Sequence, residues 1–219
     1  MRLVQLVRAN GLAWTEYTIY ECALNYEKLL DIEYEFHVSE KRKIKKMILR
    51  FSEREFFHLA GFQHLTDLSL PRNRNITIKA VLSGKITDQI LSKSKYYVND
   101  IKDEKNIRDR ICELQYLEEY IDTNNIIKIF SLKETPFLYS DIDADYIIES
   151  SILTRNKKVY IFLKEKKEEP GVYCVVSFFV KKKLVYGGRK LYWMLKKKII
   201  KKQVTILYKH ENYNEANAH

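Results

Sequence analysis

The sequence predicts an α+β fold, and three observations predict it. Apolar side chains recur at helical spacing over residues 15–30, residues 32–38 alternate strictly, and the chain beyond Asp122 reads as a run of strands. N-terminal helices and a hairpin followed by a mostly antiparallel sheet meander belong to the α+β class. The chain has 219 residues, 46% of them hydrophobic, and only three prolines and six glycines. That composition predicts one compact domain over residues 1–210 and a polar tail over 211–219.

The first helix runs from Thr15 to Leu30, with Ile19, Cys22, Ala23 and Tyr26 on one face and Thr15 as its cap. Next, Ile32, Tyr34, Phe36 and Val38 point one way while Glu33, Glu35 and His37 point the other, which is a half-buried strand. A polar turn, Ser39 to Lys43, leads to a second strand over Ile44–Phe51. Ser52 and Glu55 have the spacing of a capping box, so a short helix follows to Ala60, and Gly61 suits its left-handed cap. Pro71 to Asn75 is a loop, and short helices over Ile76–Ser83 and Thr87–Lys95 follow. Asp100 to Tyr120 predicts one long helix, striped by Ile107, Ile111, Leu114 and Leu117. Strands are expected over Ile126–Leu132, Asp145–Leu153, Val159–Lys164, Val172–Val180 and Leu184–Tyr186. Lys190 to Lys201 predicts a basic helix with Leu191, Met194, Leu195 and Ile199 facing inward, and Val204–Tyr208 a last strand.

Several function classes drop out. No apolar run approaches twenty residues, so no membrane span is expected, and the N-terminus does not make a signal peptide. Cys22, Cys112 and Cys174 are odd in number and widely spaced, which predicts reduced thiols, a cytoplasmic protein and no metal site. Asp141, Asp143 and Asp145 alternate, but the glycine and terminal glutamate of a calcium loop are missing. Phosphate-loop, dinucleotide and zinc-protease motifs are absent. The net charge of +10 is one-sided: residues 155–209 hold seventeen Lys and Arg against only Glu165, Glu168 and Glu169. Such a field attracts polyanions, although a solvated lysine-rich surface looks the same in sequence.

The residues that can carry chemistry gather around FSEREFFHLAGFQHL, residues 51–65. His58 falls in the last turn of the capped helix and His64 just past its glycine, and histidine moves protons near neutral pH. Both can equally be packing residues of a corner lined by Phe56, Phe57 and Phe62. Lys164 ends an apolar strand, and Ser177 sits within another, where its hydroxyl either bonds sheet neighbours or faces a cleft. Arg72 and Arg74 can clamp a phosphate. Lys181, Lys182, Lys183, Arg189, Lys190 and Lys196 to Lys198 are expected to form a positive surface, and Tyr192 and Trp193 can stack bases.

Phe56, Leu59, Gly61 and Leu65, with His58 and His64 between them, resemble the signature of the fourth phage-type subfamily of Barnase–EndoU–colicin–RelE-like nucleases. Its members are encoded by phages and mobile elements of Firmicutes. The order of later features is similar: the Ile107–Leu117 pattern, the strand ending at Lys164, and the strand carrying Ser177 to Phe179. The resemblance covers roughly Leu24 to Leu195. It implies metal-independent RNA cleavage from a sheet face, no cofactor, and a barnase/RelE-like fold. The leading expectation is thus a ribonuclease of a phage or mobile element, with a toxin role and an antitoxin or immunity protein as partner. The alternatives are a non-catalytic RNA-binding module and a structural protein of such an element.

Overall fold

The computed structural model describes residues 6–7, 13–14, 18–41, 43–71, 73–98, 106–131, 133, 142–155, 157–181 and 186–214. The chain divides into two compact units, each assembled from separate stretches: residues 1–27 with 53–116, and residues 28–52 with 117–219.

The first unit is mainly helical. A minimal antiparallel pair, β1 (Leu6–Val7) and β2 (Ala13–Trp14), precedes α1 (Thr18–Leu29). Then come α2 (Glu53–Leu59), 3-10 turns at Phe62–His64 and Arg74–Ile76, α3 (Thr77–Leu82), α4 (Asp88–Leu91) and α5 (Ile107–Leu114). The apolar stripe of α1 is buried as its spacing predicts, at Ile19, Cys22, Ala23 and Tyr26. Tyr26 meets Phe56 with ring centroids 5.2 Å apart, and Phe56 meets Phe62 edge-on at 6.1 Å. The first turn of α1 is capped from far along the chain: Asp88 Oδ2 accepts the Ile19 N–H at 3.0 Å. Its other oxygen accepts from the Tyr97 hydroxyl at 3.2 Å. Burial pushes the Asp88 carboxyl above its usual range, and these two donors work against that.

The second unit carries one eight-stranded sheet: β3 (Ile32–Glu40), β4 (Lys43–Arg50), β5 (Ile126–Ile129), β6 (Tyr146–Ile152), β7 (Lys157–Glu165), β8 (Val172–Lys181), β9 (Tyr192–Ile200) and β10 (Gln203–Lys209). The spatial order is β10-β9-β3-β4-β8-β7-β6-β5. Every pair is antiparallel except β4 with β8, which run parallel. The outer edge of β5 is covered by the segment leading into β9, because Ile129 N–H donates to Arg189 O and Leu191 N–H to Ile127 O, both at 2.9 Å.

Helix α6 (Leu117–Asp122) belongs to this unit. The long helix expected over residues 100–120 therefore does not form as one piece. After Leu114 the hydrogen bonding tightens, with Tyr116 N–H on Glu113 O at 3.0 Å and Gln115 Nε2 on Cys112 O at 2.8 Å. The apolar stripe continues through this break, which is why periodicity alone joins the two helices.

A second correction concerns residues 190–201. Within them Tyr192–Ile200 is strand β9, and no helix forms. The lysine run alternates across the sheet and finds a partner on each face. Lys197 reaches Glu35 at 3.0 Å, and Lys198 reaches Glu118 and Asp122 at 2.5 and 2.7 Å. Lys196, expected on a positive surface, is buried. It donates to the Ile121 and Thr123 carbonyls at 2.6 and 2.9 Å, closing the C-terminal end of α6.

His37, expected on the solvent side of β3, is also buried. Tyr213, within the stretch read as a polar tail, is buried as well and places its hydroxyl 2.8 Å from His37 Nδ1. Glu35 holds Nε2 at 3.0 Å. Burial lowers the His37 pKa, Glu35 opposes this, and Lys197 and Lys46 add to it. No helix among the described residues is long and apolar enough to cross a membrane.

Lys196 makes the fold sensitive to pH. Burial lowers its pKa from 10.5 to about 8, with Asp122 opposing. Between those values the unfolded chain binds more protons than the folded one, so stability rises with pH across that window. The contribution is complete above the unfolded value and lost as pH falls through the folded one. Replacing Lys196 by Met is expected to cost about 1–3 kcal/mol by orphaning buried carbonyls. The deficit relative to wild type should widen from pH 8 to pH 10 in denaturant titrations. A deficit that stays constant across that range would count against the assignment.

Candidate functional site

The two histidines singled out from sequence lie on one turn of the first unit. Helix α2 ends as predicted at Gly61, which adopts φ 81° and ψ 16°, a left-handed conformation open to glycine. Gly61 N–H donates to His58 O at 3.0 Å, and His64 N–H donates to Gly61 O at 3.0 Å. Glycine is needed here for space as well as for its dihedral angles. A Cβ on Gly61 would stand 2.7 Å from Ile107 Cδ1 and 3.1 Å from Arg110 Nη1.

Both imidazoles are half-buried. The His58 ring meets Phe57 edge-on at 5.7 Å, so the aromatic corner and the histidines are the same structure. Gln63 bridges the environment of the two. Its Nε2 lies 3.2 Å from His64 Nε2, while its Oε1 is buried with no hydrogen-bond partner.

Burial lowers the His58 pKa first, and the Arg74 guanidinium lowers it further. The Gln63 side chain works in the opposite direction, while Arg54 and Arg110 add to the depression. His58 is therefore neutral near pH 7 and able to accept a proton. The cations that depress it also attract an anion. Arg54 and Arg74 are exposed, and Arg74 lies over the Phe57 ring at 5.9 Å. Arg110 is buried and reaches His58 O from its Nη1 at 3.4 Å. Sequence reading missed Arg54, Gln63 and Arg110. Only Arg110 left a signal, a cation three residues after Ile107 on the buried stripe of α5.

Arg72, Lys182, Lys183 and the side chain of Lys181 lie outside the described residues. The other candidates belong to the second unit. Lys164 Nζ is 2.7 Å from Asp143 and 3.2 Å from Asp145, and those carboxylates raise its pKa. Two of the three alternating aspartates thus hold a lysine. Ser177 stands opposite Phe162 in the β7–β8 ladder, half-buried. Arg189 is exposed and pairs with Glu40 at 2.8 Å. Lys190 is exposed and lies 5.9 Å over the ring of exposed Tyr192. Trp193, read as a stacking residue, is buried and donates from Nε1 to Asn125 O at 2.8 Å.

Residues 18–218 match the model of the family described as phage-Barnase-EndoU-ColicinE5/D-RelE like nuclease 4. The chain belongs to this family. No curated protein and no solved structure matches it. Membership accords with the α+β architecture and makes nucleic acid the substrate to which the family points. Among the described residues of the first unit, the His58–Gly61–His64 turn brings His58 near the Gln63 amide and the guanidinium groups of Arg74, Arg54 and Arg110, with His64 on the other side of Gln63.

Two measurements check the geometry. In NMR titrations His58 should gain its proton at lower pH than an ordinary histidine, and Arg74→Ala should move that pKa upward. Unchanged titration in the variant would remove Arg74 from the site. Gly61→Ala should lower stability by about 1–3 kcal/mol, because both the backbone strain and the contact with Ile107 must be relieved.

Proposed function

We propose that this protein is a metal-independent ribonuclease in which His58 and His64 exchange protons with RNA. The observation that carries the reading is His58 itself: a half-buried imidazole, held neutral by burial and by Arg74, one turn from a second histidine. Cleavage of RNA without a metal needs a base for the 2′-hydroxyl, an acid for the leaving oxygen and cations for the phosphate. His58 has the protonation state of the base and His64 is the second proton-transfer group. Arg72 and Arg74 are the phosphate contacts. Lys164 and Ser177 are further candidates on the sheet, and Lys181, Lys182, Lys183, Arg189 and Lys190 of the second unit are candidate contacts to RNA. No cofactor enters this scheme. In this reading the protein works in the cytoplasm, on behalf of a phage or mobile element, as a toxin with an antitoxin or immunity protein as its partner.

The test is to incubate the purified protein with total bacterial RNA in the presence of chelator. Turnover is expected to survive the chelator. His58→Ala and His64→Ala should each lower the rate by about 10²–10⁴-fold, while RNA affinity and thermal stability stay nearly constant. If the histidines serve only the aromatic corner, the same variants lose about 1–3 kcal/mol of stability and any activity tracks the folded fraction. An inert wild type that still binds RNA would leave the non-catalytic binding module as the better reading.

A further inference from the structure

Lys45 differs from most of the partly buried lysines of the sheet. Lys128, Lys164, Lys197 and Lys198 are each partly buried, and each reaches at least one carboxylate within 3.2 Å. Lys45, half-buried on β4, reaches none among the described residues. Its ammonium donates to the Tyr146 hydroxyl at 3.0 Å and lies 5.2 and 5.6 Å over the rings of Tyr146 and Tyr173.

Glu165, which bonds Tyr173, is already engaged. Glu165 Oε2 accepts from the Tyr173 hydroxyl at 3.1 Å, and Glu165 Oε1 accepts the Gly171 N–H at 2.6 Å. The Tyr173 proton is therefore committed. The Tyr146 proton is not: its oxygen accepts from Lys45, and its hydrogen has no acceptor among the described residues. An ammonium has three donors, and two phenol oxygens use at most two of them. Burial works against the charge on Lys45, but Tyr146 and Tyr173 outweigh it and hold the ammonium above its ordinary range. Ring faces and phenol oxygens supply only partial negative charge, so the cluster keeps a net positive charge. The half-buried Lys45 ammonium and the hydroxyl of buried Tyr146 thus place a cation and an unused O–H donor side by side, the donor set that a tetrahedral oxyanion accepts.

We propose that Lys45 and the Tyr146 hydroxyl, braced by Tyr173 and Glu165, bind a phosphate group, whether free or in a polynucleotide backbone. The site uses no histidine, so it stands apart from the cleavage chemistry proposed for His58 and His64. A phosphate oxygen would take the spare Lys45 N–H and a second oxygen the Tyr146 O–H.

The full chain is titrated by calorimetry with two probes. One is inorganic phosphate. The other is a short deoxyoligonucleotide, which lacks the 2′-hydroxyl needed for cleavage. Binding of phosphate identifies a free-anion site, and binding of the oligonucleotide alone identifies a backbone site. In either case Lys45→Met should weaken binding by about tenfold or more, and Tyr146→Phe by several-fold. Equal affinity in wild type and both variants overturns the proposal, as does the absence of binding by either probe. Should Lys45→Met fail to fold, the wild type alone decides. The bound probe must shift the Lys45 ε-methylene and Tyr146 ring resonances, and unshifted resonances overturn the assignment. Neither readout depends on turnover, so failure of the ribonuclease reading leaves this one standing.

Discussion

Helix α6 lies against the sheet because side chains of the sheet and of the turn after the helix, Lys196 among them, take up its buried carbonyl end. A helix terminus leaves carbonyls without partners, and burying them unpaired is costly. Here Lys196 takes the Ile121 and Thr123 carbonyls, Ser150 Oγ takes Tyr120 O at 2.7 Å, and Asn125 Nδ2 takes Tyr120 O and Ile121 O at 2.9 and 3.0 Å. Lys198 then pairs with Glu118 and Asp122, and Asp122 accepts from the Tyr34 hydroxyl at 2.7 Å. Sheet and helix are joined by this polar seam as much as by the contact of Tyr120 with Phe178. The positive ammonium also opposes the negative end of the helix dipole.

The same seam shows why the sequence was readable in some places and misleading in others. The alternation over Ile32–Glu40 and the glycine cap at residue 61 are local patterns, and local geometry follows from them. The three-lysine run at 196–198 is also local, but its meaning depends on Glu35, Glu118 and Asp122, which lie some 75 to 160 residues away. Nothing within the run announces those partners. The break between α5 and α6 escaped for the complementary reason, since the apolar stripe runs on through it. Among the candidate residues, the placement of His58 and His64 on one turn was legible because glycine and capping signals frame them. Gln63 and Arg54 were not, because their role comes from the fold around His58 and not from any spacing of their own.

Lysine content is therefore a poor guide to surface potential in this protein. Within the basic third, Lys164, Lys197 and Lys198 are paired with carboxylates and Lys196 is buried among carbonyls. Ion pairs at this depth change local charge far more than they change net charge. Among the described residues, the cations left to act on an outside anion are fewer than composition implies. Arg74 in one unit and Lys190 in the other are exposed examples.

The strand order has a consequence for how the molecule is made. Strand β3, built from residues near the start of the chain, pairs with β9, built from residues near its end, with Ile32 opposite Ile200. Pairing over such a separation is slow, because a long loop must close before any contact rewards it. In the native sheet the β3–β4 hairpin is flanked by β9 and β8, both of which lie more than 120 residues further along the chain. The β3–β9 pair therefore closes only once residues up to about 200 have been made, and the sheet only with β10.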